Sequence, residues 1–325
     1  MSLPLVCLVT PALADANNGN WQTAWRWSRL LEDHYRIALT DRWQAEPADA
    51  LIALHARRSA ESIQRWSKQQ PGKPLVVVLT GTDLYRDIHR DESAMRSLDL
   101  ADRLIVLHER APDDLPTRHR DKAVVSFQST PARKPLVKPL RHLRALMVGH
   151  LRDEKSPRTY FEAARLLGGR PDILLDHIGA PLDPELGAQA AALAIAMPTY
   201  RWFGALPHTA TRGRIQRAHV LVHASKMEGG AHVVMEAIRS GTPVLASRIP
   251  GNVGMLGEDY GGYFDVGDAD ALAALLVRCR EDPAILENLA LQCTVRAPLF
   301  EPARERATLL RVLDDLFKST KEKPR

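Results

Sequence analysis

Short apolar runs alternate along this chain with amphipathic stretches, the pattern of buried parallel strands joined by crossover helices. A first series comprises Leu3 to Val9, Ile37 to Thr40, Leu51 to Leu54, Leu75 to Thr80, Leu104 to Leu107 and Ala123 to Phe127. The alternation breaks at Pro131 to Arg144, where Pro131, Pro135 and Pro139 stand among Arg133, Lys134, Lys138, Arg141 and Arg144 and predict a stiff, polar connector. A second series begins at Leu143 and runs through Ala145 to Val148, Ile173 to Ile178, Arg201 to Phe203, Val220 to Val222 and Pro243 to Ala246. From Asp270 the pattern is mostly helical. Pro302 to Phe317 is expected to cross back and brace the first domain, and Lys318 to Arg325 to fray. The fold class is α/β: two Rossmann-like, doubly wound domains over residues 1–140 and 141–300, followed by a helix and tail over 301–325.

Length and composition agree with that reading. A chain of 325 residues exceeds what one core usually organises and fits two domains of about 150 residues each. Its 45% apolar and 26% charged residues are those of an ordinary globular protein. The net charge of +5 and pI near 9.2 raise the question of nucleic acid, but the basic residues are spread along the chain without an aromatic-basic motif, a zinc-finger spacing or a basic helix. Small anionic substrates are the simpler explanation, and no nucleic-acid partner is expected. Cys7, Cys279 and Cys293 lack Cys-x-x-Cys spacing, which suits buried thiols in a reducing cytoplasm. Leu3 to Val9 followed by Ala12-Leu13-Ala14 has no positive n-region and reads as a first strand rather than a signal peptide. No run approaches the roughly 20 apolar residues of a membrane helix, so membrane insertion is not expected.

The chemistry concentrates where the second series of strands ends. Ala218 to His223 suits a buried strand and Ala231 to Ser240 a helix, so Glu228-Gly229-Gly230-Ala231-His232-Val233-Val234-Met235-Glu236 sits at a strand's carboxyl end. Doubly wound sheets bind ligands in that crevice, where helix N-termini offer free N–H groups to anions. A diphosphate is expected on Gly230, Ala231 and His232, with the bare backbone of Gly229 and Gly230 allowing close approach. Carboxylates are repelled by phosphate, so Glu228 and Glu236 are assigned as acceptors for hydroxyls, of a hexose and a ribose respectively. The plainer alternative is an amphipathic helix with surface glutamates. After the strand at Leu143, the stretch from Gly149 and His150 to Ser156 and Pro157 turns into a helix with Pro157 in its first turn. Departure of a nucleoside diphosphate builds charge that either a divalent metal or fixed cations must offset, and Arg152 and Lys155 are the cations in place. A solvated charged loop is the alternative there.

These motifs resemble the retaining glycosyltransferases of family four, of GT-B architecture, in which two Rossmann-like domains face each other across a cleft. The Glu-x7-Glu pair Glu228 and Glu236 matches that family's donor-sugar and ribose contacts, and Gly149 to Lys155 its diphosphate strip. Where the family has Arg after the Gly this chain has His150, so Lys155 carries over, His150 is an open position and Arg152 is a possible substitute. The resemblance further implies that Phe203-Gly204-Ala205-Leu206-Pro207, and Leu206 in particular, contacts uracil. Within the family, Asn18-Gly19-Asn20-Trp21-Gln22-Thr23-Ala24, Leu79-Thr80-Gly81-Thr82-Asp83-Leu84-Tyr85-Arg86-Asp87 and Val125 to Ser129 resemble the selenosugar synthases of selenoneine biosynthesis. That resemblance implies transfer of N-acetylhexosamine from UDP-N-acetylglucosamine to selenophosphate. It also implies pathway enzymes that supply selenophosphate and use the selenosugar.

In the first domain, polar residues cluster at predicted strand ends. Gly19 and Asn20 open a helix carrying Trp21, Thr23 and Arg26, an arrangement suited to a phosphate-like acceptor or to an ordinary Asn-Gly turn. Thr80, Gly81, Thr82 and Asp83 follow the most apolar strand; Thr80 stands where related enzymes frequently have His, and Asp83 is assigned as base or hydroxyl-orienting group. His108-Glu109 and Gln128-Ser129 read as surface loops. A selenium anion needs no base, whereas an alcohol does. Asp268-Ala269-Asp270 reads as helix-capping carboxylates, and His208, His219 and His223 lack metal spacing, so neither metal nor other cofactor is expected. There is no Gly-x-Gly-x-x-Gly and no Walker loop. An alcohol-acceptor enzyme, a sugar-nucleotide epimerase and a regulatory UDP-binding protein remain the alternatives.

Overall fold

The computed structural model describes residues 3–12 and 19–322; Leu13, Ala14, Asn18 and the end of the expected frayed tail, Lys323 to Arg325, lie outside the described residues. The chain forms two compact units, one of residues up to Ser129 together with Glu301 onward, the other Thr130–Phe300.

The first unit is built on strands β1 (Leu5–Val9), β2 (Arg36–Thr40), β3 (Ala50–Leu54), β4 (Leu75–Val78), β5 (Arg103–Val106) and β6 (Ala123–Val125), in spatial order β2-β1-β3-β4-β5-β6. The second holds β7 (Leu143–Val148), β8 (Ile173–Ile178), β9 (Tyr200–Trp202), β10 (Val220–His223), β11 (Val244–Ser247) and β12 (Tyr263–Phe264), in order β12-β11-β10-β7-β8-β9. All pairings are parallel, so every strand in a sheet ends at the same edge. The apolar runs locate these strands because parallel strands are covered on both faces; β12, a two-residue pairing, has no run of its own. Each order reverses once, between β1 and β3 and between β7 and β10. Strand-order reversals are where doubly wound sheets open a crevice at their carboxyl edge.

Alternation along the first sheet sends successive side chains to opposite faces. Cys7, Val9, Leu51, Ala53, Val77 and Val106 pack on one face with Ile63 and Trp66 of the helix Ala60–Gln69. Val6, Leu8, Ile52, Val76 and Ile105 pack on the other with Trp27 and Leu31 of the helix Gly19–Leu31. That second face is completed by Leu309, Val312, Leu313 and Leu316 of the terminal helix Pro302–Glu322, which joins the first unit. Glu305, fully buried, fastens it there: its carboxylate accepts from Arg26 Nε and NH2, from Trp27 Nε1, and from Ser129 N and Oγ.

The division between units falls at Ser129, ahead of the expected boundary at 140. The Pro-rich stretch is not a free connector but a strap packed on the second unit. Arg212 donates to Pro131 O at 2.9 Å, Gln216 to Lys134 O at 2.7 Å, and His219 Nε2 lies 2.9 Å from Pro139 O. Gly241, with φ of 70°, lets Pro135 in; a Cβ there would sit 2.7 Å from the proline ring. All three cysteines are buried, and burial pushes the Cys7 thiol up to about 12 and those of Cys279 and Cys293 up to about 11. Among the described residues no helix is long and apolar enough to cross a membrane.

Leu313, 2% exposed, closes the face shared by the two helices. Leu313→Ala should lower unfolding stability by about 2–5 kcal/mol, seen as a reduced urea midpoint; an unchanged midpoint would show that the terminal helix adds nothing to this core.

Candidate functional site

The β7–β10 reversal brings together two turns that are remote in sequence. After β7, a Cβ added to Gly149 would fall 3.4 Å from Lys155 Cγ, and Gly179 after β8 leaves no room for a side chain: a Cβ there would fall 1.8 Å from Gly149 O. A short turn Asp153–Lys155 comes next, then Ser156 in the left-handed region (φ 49°), then Pro157 at the head of the helix Pro157–Leu166. After β10 the chain runs through Glu228-Gly229-Gly230 to Ala231, which caps the short helix His232–Ile238.

Lys155 and Glu228 form a direct ion pair between these turns, with both side chains mostly buried. Burial alone would raise the Glu228 carboxyl, but the Lys155 ammonium and His223 outweigh it and hold it well below the ordinary glutamate range. Behind Glu228 lies a buried polar network. Asn252 donates through Nδ2 to Ser247 O at 2.8 Å, so its Oδ1 accepts from His223 Nδ1 at 2.9 Å. His223 Nε2 is then left 3.4 Å from Glu228 Oε1 and 3.3 Å from Ser225 Oγ. Gly251 backs the same turn, where a Cβ would fall 2.1 Å from Glu228 O. Sequence reasoning missed His223 and Asn252 as supports, because their partners lie on the next strand and helix.

Around this pair the other donor-side residues take varied positions. The N–H groups of Gly229 and Gly230 have no internal hydrogen bond among the described residues, whereas Ala231 N points at Met255 Sδ, 3.3 Å away, which argues against its use for a diphosphate. Arg152 is exposed, with Glu154 4.0 Å from its Nε. His150 accepts from Ala180 N at 3.0 Å, and burial, with Arg152 and Lys155 nearby, lowers its pKa and favours the neutral ring. His232 is the first residue of its helix. Glu236 is buried, 2.6 Å from His208 Nε2 and 3.9 Å from Arg212 Nε. In the loop after β9, Gly204 has φ of 63° and Leu206 is half-buried; the Phe203 ring is covered by the Arg214 guanidinium at 3.8 Å, so Phe203 is not a free platform for a base. Asp268 accepts from Ala271 N as a helix cap, and no group of three or more potential metal ligands occurs among the described residues.

On the first unit several expectations are corrected. Arg26 is not open to an acceptor anion, because its guanidinium is paired with Glu305 at 2.9 Å and 3.0 Å. Thr23 is buried, donating to Gly19 O and receiving Gln128 Nε2. Gly19 and Asn20 begin the helix Gly19–Leu31 as expected, but Asn18 lies outside the described residues. Asp83 is completely buried, and its carboxylate accepts from Ala56 N, Thr80 N and Gly81 N. It therefore fixes the loop around Gly81 (φ 135°) and is no accessible base. Thr80 Oγ1 also reaches Asp83, and Thr82 Oγ1 lies 3.1 Å from His55 Nε2. His108 and Gln128-Ser129 are buried rather than surface loops; His108 Nε2 meets Tyr85 OH at 2.6 Å, and burial lowers its pKa to about 4. His55 was missed, although the available signal was a polar residue directly after the all-apolar strand β3.

Two parallel six-stranded sheets, each with flanking helices and a single strand-order reversal, give an α/β fold of the GT-B class. The chain belongs to the glycosyl transferases group 1 family, whose model matches residues 128–294. It is similar in structure to the sucrose-phosphate synthase of Thermosynechococcus elongatus (TM-score 0.80, 17% identity, 98% of this chain and 100% of that one). It is also similar to Anabaena HepE, solved with UDP and glucose (TM-score 0.75, 14% identity, 96% and 100% covered). The pneumococcal O-GlcNAc transferase GtfA, solved with UDP and GlcNAc, matches at TM-score 0.65 and 17% identity over 82% of this chain and 57% of GtfA. The chain likewise spans only 55% of Staphylococcus aureus TarM.

The depressed Glu228 carboxyl fixes a pH dependence. Its contribution to stability is fully present above the ordinary glutamate value of 4.5 and is lost as pH falls through its lower folded value. Lys155→Met, which strands that carboxylate, should cost on the order of 3 kcal/mol at pH 7, with the deficit shrinking below pH 4.5. Urea unfolding across that range checks this; a deficit that grows on acidification would contradict the pairing.

Proposed function

We propose that the second unit binds UDP-N-acetylglucosamine, with Lys155 on the diphosphate and Glu228 on the hexosamine, and that the sugar passes to selenophosphate. The observation that carries the donor half is the meeting of Lys155 with Glu228 at the β7–β10 reversal. Each compensates the other's charge. An incoming diphosphate brings negative charge that competes for the ammonium, while hexose hydroxyls donate to the carboxylate, so one ligand replaces both halves of the pair. As the C1–O bond breaks, its electron pair leaves on the UDP oxygen, and Lys155 with exposed Arg152 offsets the charge without a metal. Glu236 is assigned to the ribose hydroxyls and Leu206 to the uracil side.

Selenophosphate as acceptor rests on the likeness of the Thr80 to Asp87 and Val125 to Ser129 segments to selenosugar synthases. It is supported by the commitment of Asp83 to backbone N–H groups, which removes the assigned base. A selenium anion attacks C1 without proton removal; the Se–C1 bond forms as UDP departs, and water must then cleave the Se–P bond to free the selenosugar. On this reading the protein works in the cytoplasm between enzymes that supply selenophosphate and enzymes that consume the selenosugar.

The test is UDP release from UDP-N-acetylglucosamine, with a chelator present, with and without fresh selenophosphate, followed by mass spectrometry. Selenophosphate-dependent release with a selenium-isotope pattern in the sugar is expected. Release that ignores selenophosphate would return the chain to an alcohol-acceptor or epimerase reading. Lys155→Ala should weaken UDP binding by about tenfold or more, while Glu228→Ala should lose turnover with UDP affinity largely kept. Equal UDP affinity in wild type and Lys155→Ala would sink the diphosphate assignment.

A further inference from the structure

The first unit has its own reversal, between β1 and β3, and the segment that leaves β3 there is unusual. His55, directly after Leu54, adopts φ of 72°, a left-handed conformation that is strained for a non-glycine residue. It is held by His55 N on Val78 O, by Arg58 N on Nδ1, and by Nε2 on Thr82 Oγ1. Burial lowers the ring's pKa, and with Nδ1 accepting, the proton stays on Nε2 for Thr82. The strained turn delivers Arg57 beside Asp87, where Arg86 arrives from the segment after β4.

Asp87 is 5% exposed and binds the two guanidiniums symmetrically: Arg57 Nε donates to Oδ2 at 2.9 Å and Arg86 Nε to Oδ1 at 3.0 Å. Only Nε of each arginine is used. Among the described residues the terminal nitrogens of Arg57 and Arg86 make no hydrogen bond, and the side chains are 40% and 42% exposed. Two always-charged planar donors are thus oriented by one buried carboxylate, with Arg58 adjacent and the Asp83 charge already absorbed by backbone N–H groups. An ordinary surface ion pair needs neither a buried carboxylate nor a strained turn.

We propose that Arg57 and Arg86, oriented by Asp87, form a binding seat for a tetrahedral oxyanion of phosphate type where β3 and β4 leave the first sheet. Resting on the proposed selenophosphate transfer, the seat takes the phosphate head of the acceptor, in place of Arg26.

Inorganic thiophosphate, a stable phosphate-type probe, is titrated calorimetrically into the full-length protein and into Arg57→Gln, Arg86→Gln and Arg58→Gln, with circular dichroism to check folding. Arg57→Gln and Arg86→Gln should each weaken thiophosphate about tenfold to a hundredfold, with UDP affinity unchanged and Arg58→Gln close to wild type. With selenophosphate, KM should rise in the first two variants more than kcat falls. Thiophosphate binding equal to wild type in folded Arg57→Gln and Arg86→Gln, or equal loss in Arg58→Gln, would overturn the seat. Arginine-dependent thiophosphate binding without selenophosphate-dependent UDP release would keep the seat and remove selenophosphate transfer; the converse pattern would keep transfer and remove the seat.

Discussion

Parallel strand pairing is the constraint on which the rest of this molecule depends. It requires a crossover after every strand, which covers both faces of each sheet with helices and makes the strands read as continuous apolar runs. It also sends every strand's exit to one edge, so polar residues just beyond a strand are collected there whatever their separation in sequence. A single reversal of order in each sheet then opens that edge at one point. Lys155 and Glu228 meet at one such point, and Arg57 and Arg86 meet where β3 and β4 leave the first sheet.

Charge at the β7–β10 reversal is balanced internally and is backed by close approaches. Gly179 and Gly251 have no room for a Cβ because backbone carbonyls of Gly149 and Glu228 occupy it, so the two turns are fixed by main-chain contact rather than by flexible side chains. Behind them the His223, Asn252, Ser247 and Ser225 network satisfies its own donors and acceptors in a buried setting. Such a network holds Glu228 in place through His223, whose own supports are already ordered.

Much of this was legible in the sequence, for a physical reason. Strands β1, β3, β4, β5, β7, β8, β10 and β11 announce themselves as apolar runs, and the Gly149 to Lys155 and Glu228 to Glu236 turns stand out as glycine and charge placed directly after such runs. Partnership across long separations was not legible. Arg26 and Thr23 looked available because Glu305 and Gln128, which engage them, are remote in the chain, and Asp83 looked like a base because its acceptor role lies with backbone groups that carry no side-chain signature. The Pro-rich strap resembled a connector because proline fixes the chain's stiffness without saying what it packs against. His55 gave no warning of its left-handed backbone, since glycine usually marks that conformation.

The carboxyl edges of the two sheets share a device. In each, a carboxylate that is itself buried or nearly so holds cations in place: Glu228 with Lys155, Asp87 with Arg57 and Arg86. The difference lies in the surplus. Lys155 and Glu228 cancel, so the donor proposed there is one that supplies both an anion and hydroxyl donors, as a nucleotide sugar does. Arg57 and Arg86 outnumber Asp87, leaving net positive charge for a ligand that supplies an anion alone. A nucleophile already charged needs such a seat and no proton acceptor, whereas a neutral alcohol would need the reverse. With Asp83 committed to its loop and His55 and His108 buried, the carboxyl edge of the first sheet offers no accessible base among these three, which is why the proposed acceptor is the charged one.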